Sequence, residues 1–182
     1  MVIAFIGTRA PGDVPNDWLN LYRRTATLAG ACGHPIITGA APGSDQLAAQ
    51  CVLAAGGRVA LILPWKGFER PWVQRIVGRH HNNVYVDILP EEIPAEALAS
   101  VRTYHPAYGS LTQGGKRLHA RNYLIVQHAE LIVALPSDKP GGGGTGQGIR
   151  IAEALGKPCV DLSLAVDRKG MDKWLLKMRN TP

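Results

Sequence analysis

Short apolar runs separated by stretches of helical periodicity set the pattern of this chain. Residues 2–6 (VIAFI) are apolar without polar alternation and stop at Gly7, which suits a strand buried on both faces. Trp18, Leu21, Tyr22, Thr25 and Leu28 then repeat at helical spacing, with Asn16 or Asp17 as cap and Gly30 and Gly33 as stop. PIITG (35–39) predicts a second strand, and the stretch opened by Ser44 a second helix, capped by Ser44 and ended by Gly56-Gly57. RVALIL (58–63) predicts a third strand. Order returns with a helix over 116–129, a strand over 130–135, a helix beginning at Thr145, a strand over 158–162 and a closing helix over 171–179.

This alternation predicts an α/β, Rossmann-like, mostly parallel sheet of about five strands flanked by helices, with right-handed crossovers. Residues 1–182 read as a single domain, interrupted by an insertion at about 64–116 with one candidate strand (VYVDIL) and one helix. Trp65, Phe68 and Trp72 stand among Lys66, Arg70 and Arg75 in that insertion. Such interleaving can stack a base, but a packing face, internal or toward a second copy of the chain, is the preferred reading.

Composition narrows the class. Apolar residues make up 46% of the chain and charged ones 19%, a globular balance rather than a disordered one. No apolar run is long enough to span a bilayer, and the start lacks a signal-peptide pattern, so a cytoplasmic protein without membrane partners is expected. Cys32, Cys51 and Cys159 are scattered and odd in number, which disfavours a disulfide framework and suggests small buried hydrophobes. The net charge of +6 suits nucleic acid or a small anion. His80-His81 lacks ligands at zinc-like spacing, so no metal site is expected.

Candidate chemistry concentrates in three loops that leave strands and enter helices: GTRAPGD (7–13), TGAAPGSD (38–45) and PSDKPGGGGTGQG (136–148). In an open parallel sheet the loops at the carboxyl ends of strands form the ligand crevice. Glycine-rich backbone at a helix N-terminus presents bare amides to an anion. A G-x-x-x-x-G-K-[ST] phosphate loop is absent. Gly141, Gly143 and Gly146 satisfy G-x-G-x-x-G, with Asp161 at the acidic position. A glycine run meets that pattern easily, and the dinucleotide motif belongs after the first strand. Arg9, at the same edge, suits a phosphate contact through its guanidinium fork.

Taken together, FIGTR, ITGAAPGSDQLAAQ and HARNYLIVQHAELIVALP with GGGGTGQGIRIAEALGKP resemble the SLOG superfamily. That group contains DNA processing protein A, the LOG proteins and small YspA-like proteins, and the YspA-like type is the nearest in length and loop order. The resemblance covers 1–63 and 117–162. It implies a Rossmann-like fold that binds a nucleotide or a nucleotide derivative. Gly7, Thr8, Arg9, Gly39, Gly43, Ser44, Arg121, Asn122, Gly141, Gly142, Gly143, Gly144 and Thr145 are then the ligand or phosphate contacts, with the insertion covering base or ribose. No cofactor is implied beyond such a ligand.

LOG-type enzymes cleave a ribose–base bond with the glutamate of P-G-G-x-G-T-x-x-E and an upstream arginine. Arg121 matches the arginine, but the glutamate position holds Gly148. Asp45 is the substitute carboxylate by position, although a first-turn acid also favours the helix dipole. Arg121 and Asp45 are thus the catalytic candidates if the chain is a phosphoribohydrolase acting on a nucleoside monophosphate. The open alternatives are a sensor or carrier, and a single-stranded DNA binder of the DNA processing protein A kind.

Overall fold

The computed structural model describes residues 1–137 and 142–179. Its strands are β1 (Ile3–Gly7), β2 (Ile36–Thr38), β3 (Val59–Leu63), β4 (Val84–Ile88), β5 (Leu131–Leu135) and β6 (Cys159–Asp161). The helices are α1 (Asn16–Ala31), α2 (Ser44–Ala54), α3 (Arg70–Arg79), α4 (Ala95–Tyr104), α5 (Gln113–Gln127), α6 (Gly143–Ala154) and α7 (Ala165–Arg179). The strands form one sheet in the order β4-β3-β2-β1-β5-β6, every pair parallel.

Strand periodicity divides the core between the two faces. Ile3 and Phe5 of β1 join Leu61, Val133 and Leu135 on the side of α1 and α2. Ala4 and Ile6 join Ile62, Ile132 and Ala134 on the side of α5 and α6. Tyr22 of α1 stands edge-on to Phe5, with ring centroids 5.2 Å apart. Its hydroxyl donates to Ser44 O at 3.2 Å, so this buried phenol has a partner.

Several boundaries differ from the sequence reading. The sheet has a sixth strand because VYVDI of the insertion pairs with β3 as an edge strand. The insertion also holds two helices, and Phe68, Trp72 and Ile76 of the α3 region are buried against the main core. Ser44 does not cap α2. Gly43 takes the cap position at φ 92°, and Ser44 is the first helical residue, its hydroxyl turned to Thr8 O at 2.8 Å. Pro15, not Asn16 or Asp17, precedes the first residue of α1. Helix α6 begins at Gly143, two residues before Thr145. The cysteines carry no disulfide, but they are not buried: Cys32 is exposed and the other two are half-buried. Among the described residues no helix is long and apolar enough to cross a membrane.

Candidate functional site

The strand order reverses between β1 and β5, because the chain winds outward from β1 to β4 and returns to the other side of β1. At such a switch point the two outgoing loops diverge and leave a crevice. A cleft of about 540 Å³ lies here. Its described lining includes Gly7, Thr8 and Arg9 after β1, Ala41 and Asp45 at the head of α2, and Ser137 with Gly142–Thr145 at the head of α6. Leu118, His119, Arg121 and Asn122 of α5 complete the wall. Ten of the expected site residues therefore meet in one place. None of the described lining residues belongs to 64–116, so the insertion does not cover the cleft as expected. It extends the sheet edge and packs on α5 through Leu89, Ala97 and Val101.

Arg121 and Asp45 form a buried ion pair at the base of the cleft. Arg121 Nη1 lies 3.3 Å from Asp45 Oδ2, and both side chains are almost fully enclosed. The guanidinium fits because of Gly39: a Cβ there would lie 1.0 Å from Arg121 Nη1. Asp45 Oδ2 also accepts from the Ala41 amide at 3.2 Å. Burial pushes the Asp45 carboxyl above its usual range, against the lowering pull of Arg121. Burial likewise lowers the Arg121 pKa, with Asp45 opposing. Arg121 Nε is buried without a hydrogen-bond partner among the described residues.

The remaining expected residues outside the lining hold the loops together. Gly43 lets α2 approach the chain at Arg9, since its Cβ would lie 2.5 Å from Arg9 O. Ser44 N and Oγ both donate to Thr8 O, at 3.0 and 2.8 Å. The second loop thus spends the amides of Ala41 and Ser44 on the protein itself. This departs from the expectation that the 38–45 loop presents bare amides to a ligand. Gly141 lies outside the described residues.

The head of α6 is different. Gly142 takes the cap position without a side-chain cap, and the first amides of an α-helix have no acceptor within it. Those of Gly143, Gly144 and Thr145 belong to residues that line the cleft. Arg9 lines the same cleft, exposed and with no ion-pair partner among the described residues. Gly148, at the position of the glutamate in the LOG motif, is buried, and a Cβ there would lie 2.7 Å from Ile6 Cδ1. The atom in the way is the end of the Ile6 side chain, where α6 packs on β1.

Sequence reasoning missed His119 and Gln147. Gln147 is fully enclosed, and its Oε1 lies 2.9 Å from His119 Nδ1 and 3.1 Å from Asn122 Nδ2. Its Nε2 donates to His119 O at 3.3 Å, while Asn122 Nδ2 also reaches Gly144 O at 3.4 Å. This network joins α5 to the first turns of α6. Burial, aided by His105, Arg121 and Arg9 against the Gln147 bond, lowers the His119 pKa to about 4. A buried glutamine in a glycine-rich helix start was the available signal, but its partner lies 28 residues away.

No family model matches the chain, and no curated protein matches it in sequence. Solved structures do match in fold. DNA processing protein A from Helicobacter pylori, a single-stranded DNA binder, superposes with a TM-score of 0.63 at 17% identity, over 98% of this chain and 80% of that one. The molybdenum cofactor carrier protein from Chlamydomonas reinhardtii gives 0.53 at 16% identity, over 97% and 83%. The molybdenum cofactor binding protein from Rippkaea orientalis gives 0.54 at 18% identity, over 97% and 85%. The six-stranded parallel sheet and these neighbours together give the chain a Rossmann-like α/β fold, the one shared by DNA processing protein A and the molybdenum cofactor carriers.

Proposed function

We propose that this protein binds a nucleotide or nucleotide-derived anion in the switch-point cleft and holds it without cleaving it, as a sensor or carrier. One observation carries the reading: the open head of α6 and the guanidinium of Arg9, which has no ion-pair partner among the described residues, share one cleft. Helix amides and dipole favour an anion there, and an arginine fork supplies the counter-charge. Arg121 is enclosed and already paired with Asp45. Its role is to fix the cleft floor. The structural neighbours hold ligands, single-stranded DNA in one and the molybdenum cofactor in others, which supports ligand binding in general.

Holding is favoured over cutting because of the carboxylates. N-glycosidic cleavage needs a carboxylate to activate water or to steady an oxocarbenium-like state. Asp45 is the one carboxylate among the described lining residues, and it is committed to Arg121 and the Ala41 amide. Thermal-shift screening of nucleotides, with mass spectrometry of whatever co-purifies, tests the proposal, because a ligand of the folded state raises apparent stability. Thr145→Glu should preserve the fold, since an acidic first turn suits a helix, and should weaken anion binding at least about tenfold. Unchanged affinity in Thr145→Glu would refute the cradle. Release of free base by the wild type would replace the carrier with a hydrolase.

A further inference from the structure

His119 has its chemistry set by two backbone carbonyls, which can only accept hydrogen bonds. Gln147 Nε2 faces His119 O at 3.3 Å, which turns the Gln147 oxygen to the opposite side. Asn122 Nδ2 faces Gly144 O at 3.4 Å and Gln147 Oε1 at 3.1 Å, so that nitrogen is the donor to both. The Gln147 oxygen is then an acceptor toward His119 Nδ1, 2.9 Å away. Nδ1 must carry the proton, as the surrounding network requires. A neutral ring protonated at Nδ1 has its lone pair at Nε2. Burial keeps the ring neutral, with a pKa lowered to about 4. His105 packs against it, ring centroids 4.1 Å apart.

Position gives this lone pair a use. His119 lines the cleft, and its Cε1, the carbon between the two nitrogens, lies 3.6 Å from where a Cβ of Gly144 would stand. The ring therefore sits one van der Waals contact from the first turn of α6, where the proposed function seats a phosphate. The group covalently next to a nucleotide phosphate is its sugar. We propose that His119 Nε2 accepts a hydrogen bond from a sugar hydroxyl of the bound nucleotide, so that the cleft selects ribose over its deoxygenated forms. The inference rests on the phosphate site at α6. The Gln147–Asn122 network acts as its positioning device, since it holds Nδ1 as the donor.

Calorimetric titration of the whole chain at pH 7.5 tests this with inorganic phosphate, adenosine 5′-monophosphate and its 2′-deoxy, 3′-deoxy and 2′,3′-dideoxy analogues. The ribonucleotide should bind about three- to tenfold more tightly than the dideoxy form, the value of one neutral hydrogen bond. His119→Phe should erase that ratio. His119→Gln, which restores a carbonyl acceptor, should recover part of the ratio. Equal binding of all four nucleotides by the wild type overturns the role of His119 and leaves the phosphate site standing. A ratio that survives His119→Phe also overturns it. Failure of every probe, inorganic phosphate included, removes the phosphate site and this inference together. If His119→Phe does not fold, the wild-type series alone decides.

Discussion

Replacing Gly39 with alanine puts a methyl carbon 1.0 Å from Arg121 Nη1. Gly39 is not at positive φ, so its backbone tolerates alanine and the effect is purely one of space. The guanidinium must leave its seat. Asp45 then loses the 3.3 Å contact to Arg121 and stays enclosed, with only backbone amides for partners. Removing one member of a buried ion pair costs about 3–5 kcal/mol. The displaced arginine can regain water in the cleft, so the lower end, about 3 kcal/mol, is expected. Urea unfolding followed by circular dichroism reads this as a lowered midpoint at unchanged slope. A double-mutant cycle separates the mechanism from generic damage. In an Arg121→Ala background the space is already vacant, so Gly39→Ala should add less than about 1 kcal/mol, a coupling of about 2 kcal/mol. Additive costs, or a Gly39→Ala loss below about 0.5 kcal/mol, would refute the claim that Gly39 is the seat of the guanidinium.

Arg117 donates to the carbonyls of Pro64, Leu89, Pro90 and Glu91 at 2.7–2.9 Å. Arg117→Ala should cost about 2–4 kcal/mol by urea unfolding, and Arg117→Lys should not rescue it, because an ammonium lacks the planar fork. Stability should fall with acid: His119 has its pKa depressed from 6.5 to about 4, so the unfolded chain takes up the proton first. Its contribution, roughly 1–2 kcal/mol after allowance for solvent screening, is complete above pH 6.5 and is lost as pH falls toward 4; His119→Gln should flatten that part of the profile. Gly148→Ala should change stability by less than about 1 kcal/mol, because the crowding atom is the mobile tip of Ile6 and helix propensity offsets it. A loss above about 3 kcal/mol would mean that Ile6 has no alternative rotamer.

The parallel α/β sheet was legible because its inner strands are buried on both faces, leaving continuous apolar runs such as VIAFI and LIVAL. The sixth strand was legible only as a candidate run, VYVDIL, and its place in the sheet was not, because an edge strand is only half covered: Tyr85 and Ile88 are exposed. Helix α3 was hidden for another reason. RPWVQRIVGR buries only Trp72 and Ile76, a short stripe among arginines. The three loops were visible from their glycines, but glycine does two different jobs here. In α6 it opens the backbone to the cleft, whereas Gly39 and Gly43 make room for Arg121 and for the chain at Arg9. Sequence offers no sign of which is which, since the atoms filling the space come from 82 and 34 residues away. The burial of Arg121 escaped for the same reason, and the His119–Gln147 pair exists only because α5 packs on α6.

The central claim is an anion site shared by the head of α6 and Arg9, and calorimetry of a nucleoside monophosphate against the wild type and Arg9→Ala at low ionic strength tests it most directly. One binding event per chain is expected in the wild type. It should weaken by about tenfold in Arg9→Ala, as loss of one charged hydrogen-bond partner implies, with no change in unfolding midpoint because Arg9 is exposed. Absence of binding in the wild type, or equal affinity in both proteins, would contradict the account.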